Sequence, residues 1–303
     1  MTRRLLPLIA LALAALACED TFSPKGSFTR RLVVYSVLTN QSDSQYVRVF
    51  TTYDPPSFDP YGQPNDTPVL GASVTMDVDG STIGFREFVL PRPDRSRYAD
   101  SVHAYIAEPM ALQRGKAYRL TVQTADLGTL QGETSVPQPG VLTVNNRYVL
   151  EAPGTYLEDL SVSAQLSGMA YGFLIRIFID YEVFEDGVWT RYREEVPQRI
   201  SGNASSGTLQ VEYPRLTRRQ NDARSTLPGG TTVFAGRAYR WLIGSISSRH
   251  TLVPMRFRNA VCVLDQTDLP FYIYFNLANG FQDEFSIRTD APDYSNLQGG
   301  FGV

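Results

Sequence analysis

His103 and His250 are the two histidines of this 303-residue chain. Acid–base catalysis at neutral pH would look to them first. His103 lies in Tyr98-Ala99-Asp100-Ser101-Val102-His103-Ala104-Tyr105, a strand-like run, and His250 follows Ser247-Ser248-Arg249 in a loop. Neither has a second His or Cys at metal-ligand spacing. Glu182 and Glu185 form a carboxylate pair of the kind glycoside hydrolysis uses, but they fall at a strand end beside a turn, where carboxylates are ordinarily solvated. Asp77-Val78-Asp79-Gly80 begins like a calcium loop. Position twelve is Phe88 instead of Glu, so a hairpin turn is the better reading. Cys262 sits in the apolar run Ala260 to Leu264, which suits a buried, inert thiol. The sequence carries no Gly-x-Ser-x-Gly elbow, His-Glu-x-x-His pair or phosphate-binding glycine loop. The expectation is a protein that is not an enzyme and uses no cofactor or metal, with a hydrolase as the lesser alternative.

Two loops are better suited to binding. Residues 54–68 are rich in proline and aspartate and contain Asp54, Asp59, Tyr61 and Asp66. Long loops of this kind are often functional, although a mobile surface insertion is the favoured reading. Arg215, Arg218, Arg219 and Arg224 cluster in a second loop and suit an anion or lipid head group. Asp222 among them favours the plainer reading of a solvated loop.

The N-terminus specifies location. Arg3-Arg4 precede an apolar run from Leu5 to Ala17, which as a helix spans about 20 Å, short of the roughly 30 Å hydrocarbon core. That is a signal peptide, residues 1–18, and not a spanning helix. Ala15-Leu16-Ala17-Cys18 resembles the lipobox of bacterial lipoproteins, which implies cleavage before Cys18 and its lipidation. In such lipoproteins an Asp after the Cys retains the protein at the inner membrane. Glu19 stands here, so the outer membrane is expected, and Glu19-Asp20 loosely resembles surface-export signals. Residues 19–30 form a polar tether reaching roughly 40 Å when extended.

Composition favours β structure. The chain has 17 Tyr, 16 Phe, 23 Gly and 19 Pro. Net charge is −3, which offers no basic field for nucleic acid. With Cys18 lipidated, Cys262 has no partner for an intramolecular disulfide. Residues 31–137 read as roughly seven short strands, an immunoglobulin-like sandwich without the antibody Cys…Trp…Cys core. Pro137-Gln138-Pro139-Gly140 is the boundary, and residues 141–303 read as a larger β-sandwich or barrel-like domain. Within it, 170–181 is a central strand, Glu185-Asp186-Gly187-Val188 a hairpin turn, and 232–243 another strand. Asp268 before Leu269-Pro270 signals one short helix ending at Asn279-Gly280, with its aromatics in the core.

A family pattern emerges from residues in order. Leu32 to Thr39, Tyr46-Val47-Arg48-Val49, Gly71-Ala72-Ser73-Val74, the Asp79-Gly80 turn and Gly115 to Leu120 are followed by Phe271 to Phe275, Ser295-Asn296-Leu297 and Gly299 to Gly302. Together they resemble the DUF4249 lipoproteins of the Bacteroidetes lineage. The resemblance implies an outer-membrane lipoprotein with no established activity, often encoded beside TonB-dependent receptors. The expected role is accessory or ligand-binding partner of such a receptor, membrane-attached through Cys18. An adhesive or structural envelope role is the alternative.

Overall fold

Alternating Val, Leu and Tyr runs broken by Gly, Asp and Pro produce short antiparallel strands, as period-2 patterns should. The computed structural model describes residues 26–54, 67–92, 100–145, 158–202, 207–221, 227–279 and 294–303. The segment expected to be a signal peptide (residues 1–18), residues 19–25 of the expected tether, Asp59, Tyr61, Asp66 and Arg224 lie outside the described residues.

The first half contains β1 (Leu32–Tyr35), β2 (Gln45–Thr51), β3 (Ser73–Val78), β4 (Ser81–Pro91), β5 (Ser101–Ala107), β6 (Ala117–Thr124) and β7 (Gly128–Ser135). β3 and β4 meet through Asp79 and Gly80, both at positive φ (49° and 78°), the turn that matches strand twist. The expected sandwich takes the form of one continuous sheet whose strands change partner. Residues 81–85 of β4 pair with β3 and residues 86–91 with β5. Likewise β2 pairs with β5 through residues 45–47 and with β1 through residues 48–51. Leu32, Val34, Val47, Val49, Val74, Met76, Val122 and Leu130 fill its interior.

The second half runs through β8 (Val141–Val144), β9 (Leu160–Gln165), β10 (Gly172–Glu185), β11 (Val188–Glu195), β12 (Arg199–Ser201), β13 (Gln210–Glu212), β14 (Thr217–Arg218), β15 (Gly229–Phe234), α1 (Gly236–Arg249), β16 (Met255–Thr267) and α2 (Leu269–Asn279). β10 is central, with β16 along one edge and β11 and β14 along the other. Its inward residues Phe173, Ile175, Ile177 and Ile179 meet Leu160 and Val162 of β9 and Leu242 and Ile246 of α1 in a second core.

Helix α1 corrects the strand expected at 232–243. β15 ends at Phe234 and the chain turns helical at Gly236. Ala238, Leu242 and Ile246 recur every four residues and are buried, the helical period. Helix α2 starts where Asp268 predicts. The described side chains of α2 are half-buried or exposed, however, so its aromatics are not core residues.

The chain then returns. β17 (Leu297–Gln298) pairs with β7, and β18 (Phe301–Gly302) pairs in parallel with β1. The first-half sheet thus runs β17-β7-β6-β3-β4-β5-β2-β1-β18, and Gly299-Gly300 joins its two ends. Residues at the far end of the stretch 141–303 complete the sheet begun by residues 31–137.

Candidate functional site

Asp268 ties the two halves together. Its Oδ1 accepts the Phe271 amide at 3.2 Å, capping α2. Its Oδ2 accepts Thr134 Oγ1 (2.5 Å) and the Ser135 amide (3.0 Å) of β7. Gln41 Nε2 donates to Asp265 Oδ1 at 3.2 Å, and Gln266 Nε2 donates to the Gln138 carbonyl at 2.8 Å. These contacts frame a cleft of about 570 Å³, within the range of ligand sites.

The cleft walls come from the segment after β1, from β7, from 137–140, from the end of β16 and from the start of α2. Val37, Leu38, Tyr118, Leu264 and Phe271 supply apolar surface, and Arg114, Asp265 and Asp268 supply charge. Thr267 Oγ1 and Asn296 Oδ1, both of lining residues, are buried without a hydrogen-bond partner among the described residues. Burial pushes the Asp265 carboxyl above the usual carboxylate range; Arg176 pulls it down and Glu195 pushes it further up. An apolar cleft with a half-buried carboxyl favours a ligand that donates hydrogen bonds or carries positive charge.

The residues singled out in the sequence lie elsewhere. Asp54 is exposed where its loop leaves β2, whose Phe50 bridges to Pro68 at the loop's far base. Arg218 and Arg219 lie 5.2 and 5.5 Å from the Tyr171 ring centroid. Arg219 also donates to the carbonyls of Gly168 (2.9 Å) and Ala170 (2.7 Å), fastening the turn before β10. Arg215 is exposed and borders a separate polar recess with Thr217, Thr231 and Thr232.

The carboxylates considered for catalysis have partners. Glu182 pairs with Arg256 (2.7 Å) and Arg258 (2.8 Å), and these two guanidinium groups hold its carboxyl below the usual range. Glu185 accepts the Tyr192 hydroxyl at 2.7 Å. His250 lies 5.8 and 6.4 Å from the ring centroids of Tyr181 and Tyr192, and His103 Nδ1 is 3.9 Å from Glu87. Burial pushes the Cys262 thiol up to about 11, which keeps it protonated and unreactive at neutral pH.

The cleft residues gave little signal in the sequence. Asp268 was legible only as a helix start, and nothing local brings Gln41, Thr134 and Asp265 together.

The family model described as Domain of unknown function (DUF4249) matches residues 19–302. The chain belongs to the DUF4249 family. No curated protein matches this DUF4249 member. Among solved structures, the C-terminal globular domain of an oligosaccharyltransferase from Pyrococcus abyssi aligns over 81% of the chain, at 9% identity and a TM-score of 0.28. The chain spans 50% of that structure's length, and a likeness so slight says nothing of this member's function.

Proposed function

We propose that this DUF4249 protein is a non-catalytic, lipid-anchored binding protein of the outer membrane, serving a TonB-dependent transport system as accessory or ligand-capturing partner. The cleft between the halves carries the reading: it combines apolar walls with few convergent polar groups, the makeup of a binding site. The carboxylates Glu182 and Glu185 are committed to arginine and tyrosine partners, which speaks for binding over hydrolysis. The lipobox ending at Cys18 supports attachment through an acylated cysteine, and a multiply acylated cysteine anchors firmly.

The test is a pull-down from detergent-solubilised outer membrane with the tagged, lipidated protein and a Cys18→Ala control. Near-stoichiometric recovery of a TonB-dependent receptor, with the control lost from the membrane fraction, is the expected result. Recovery of the lipoprotein alone removes the transport reading and favours an adhesive or structural envelope role.

A further inference from the structure

The outward face of the sheet β11-β10-β16 is built from successive rows of charge. Asp180 and Glu182 occupy neighbouring outward positions on β10. Arg191 and Arg193 reach Asp180 from β11 at 2.8 and 2.6 Å, and Arg256 and Arg258 reach Glu182 from β16. The carboxylates lie beneath the guanidinium groups: Asp180 is 1% exposed, whereas the side chains of Arg191 and Arg193 are 63% and 51% exposed. Two carboxylates under four arginines leave this cluster two positive charges in excess, on a chain whose net charge is −3; further along the same face Arg176 pairs with Glu195, and Asp265 adds one negative charge. Every guanidinium has five N–H donors, so donors remain after these pairs are made.

β11 is also an edge. Among the described residues it has one hydrogen-bonded neighbour strand, β10, and Val188 to Arg193 are exposed throughout. An exposed edge offers unpaired backbone groups to an incoming strand. Arg191 and Arg193 are two residues apart, about 6.8 Å along a strand, the spacing at which an added strand presents its own alternate side chains. Trp189, exposed on the same face and stacked by Arg256 at 4.2 Å from its ring centroid, supplies an aromatic anchor of the kind that dominates interface energetics.

We propose that this edge is a docking site for an extended acidic peptide segment of a partner protein. The segment adds as a strand alongside β11. Its backbone pairs with the free edge and its alternate carboxylates meet Arg191 and Arg193. Backbone pairing gives affinity, and the arginine rows select for acidic over basic sequence. The cleft plays no part in this inference.

The probe is a fluorescein-labelled, acetylated and amidated heptapeptide of alternating Thr and Glu, titrated against the full chain in mild detergent and followed by anisotropy. Two control peptides carry Lys in place of Glu, or N-methyl groups that block the backbone donors. Arg191→Gln is the test variant, because Arg193 still holds Asp180 through two hydrogen bonds and the fold keeps its internal pair. The expected result is binding of the Glu peptide alone, weakened about fivefold or more by Arg191→Gln, and weakened further between about 20 and 300 mM salt. Amide exchange must slow selectively at 188–195. Absence of binding, equal binding of the Lys or N-methyl peptide, no effect of Arg191→Gln, or protection confined to other strands each overturns the proposal. A failed receptor pull-down leaves these readouts unchanged, so the two ideas are judged separately.

Discussion

Arg193 grips Asp180 with two parallel hydrogen bonds, Nε to Oδ1 at 2.6 Å and Nη2 to Oδ2 at 3.0 Å, while Arg191 adds a third at 2.8 Å. The carboxylate is buried and the arginines are wet, so the two ends of the pair are unequal. Removing Asp180 frees arginines that can rehydrate. Removing both arginines strands a buried charge, which is the costlier defect. Asp180→Asn is therefore expected to destabilise less than the double change Arg191→Gln with Arg193→Gln. The latter should cost about 2–3 kcal/mol, at or below the low end for buried pairs because the arginine ends face water. Urea unfolding of both variants checks the order; a larger loss for Asp180→Asn contradicts it.

The same pair fixes a pH response. Arg193 and Arg191 hold the Asp180 carboxyl below its usual range, against the pull of burial. A depressed carboxylate contributes stability in full above its unfolded value near pH 4. That contribution disappears as pH falls through the lower, folded value. Wild type should lose stability more steeply than Asp180→Asn below about pH 4, measured by denaturation at stepped pH.

Asp265 has the opposite sign. Burial raises its carboxyl, so the folded chain holds the proton more tightly than the unfolded one. Its contribution is most favourable below the unfolded value and falls away as pH rises through the folded value. Asp265→Asn, which keeps the shape and can still meet Gln41, should raise the melting temperature at pH 7 and leave it nearly unchanged near pH 3. A drop at pH 7 would mean that the Arg176 charge outweighs burial.

Asp268 serves an N-cap and two contacts to β7 at once. Asp268→Ala should cost about 2–3 kcal/mol, the sum of a lost cap and lost charge-assisted bonds. Asp268→Asn, which retains an acceptor, should cost less. Amide exchange at Phe271 and Ser135 should rise together in the Ala variant. Acceleration at one alone would show that the two contacts are not coupled.

Gly302 tests the closure of the first-half sheet. Its φ is +117° and a Cβ there would overlap the Val34 carbonyl, so Gly302→Ala meets both backbone strain and a clash. A loss of about 2 kcal/mol or more is expected, with faster exchange at Ser36, whose amide donates to the Val303 carbonyl at 2.7 Å. An unperturbed Ser36 amide would contradict a closing role for β18.

Local patterns were readable where local physics decides. The turns at Asp79-Gly80 and Asp186-Gly187 need positive φ at both residues, and both have it. Asp268 before Leu269-Pro270 is a short-range cap signal. The error at 232–243 arose because Tyr239, Trp241 and Ile243 favour strands on propensity, while burial of Ala238, Leu242 and Ile246 made helix the better packing. The start of that helix is satisfied from far away: the Gly236 amide donates to Asp159 Oδ1 at 2.9 Å, across 77 positions of sequence. Arg219 drew attention as a charge, and its use in fastening two carbonyls depends on where Gly168 and Ala170 fold.

Alternation and turn chemistry thus determined that the chain is β-rich, because each depends on residues close in sequence. Tertiary structure alone decided that residues 297–302 return to join β7 to β1, and that Gln41, Thr134, Asp265 and Asp268 share one cleft. It also set Asp180 beneath two arginines on an exposed edge. Those outcomes depend on pairing between distant strands, whose register is fixed by burying one face of each sheet and leaves no mark in any short stretch of sequence.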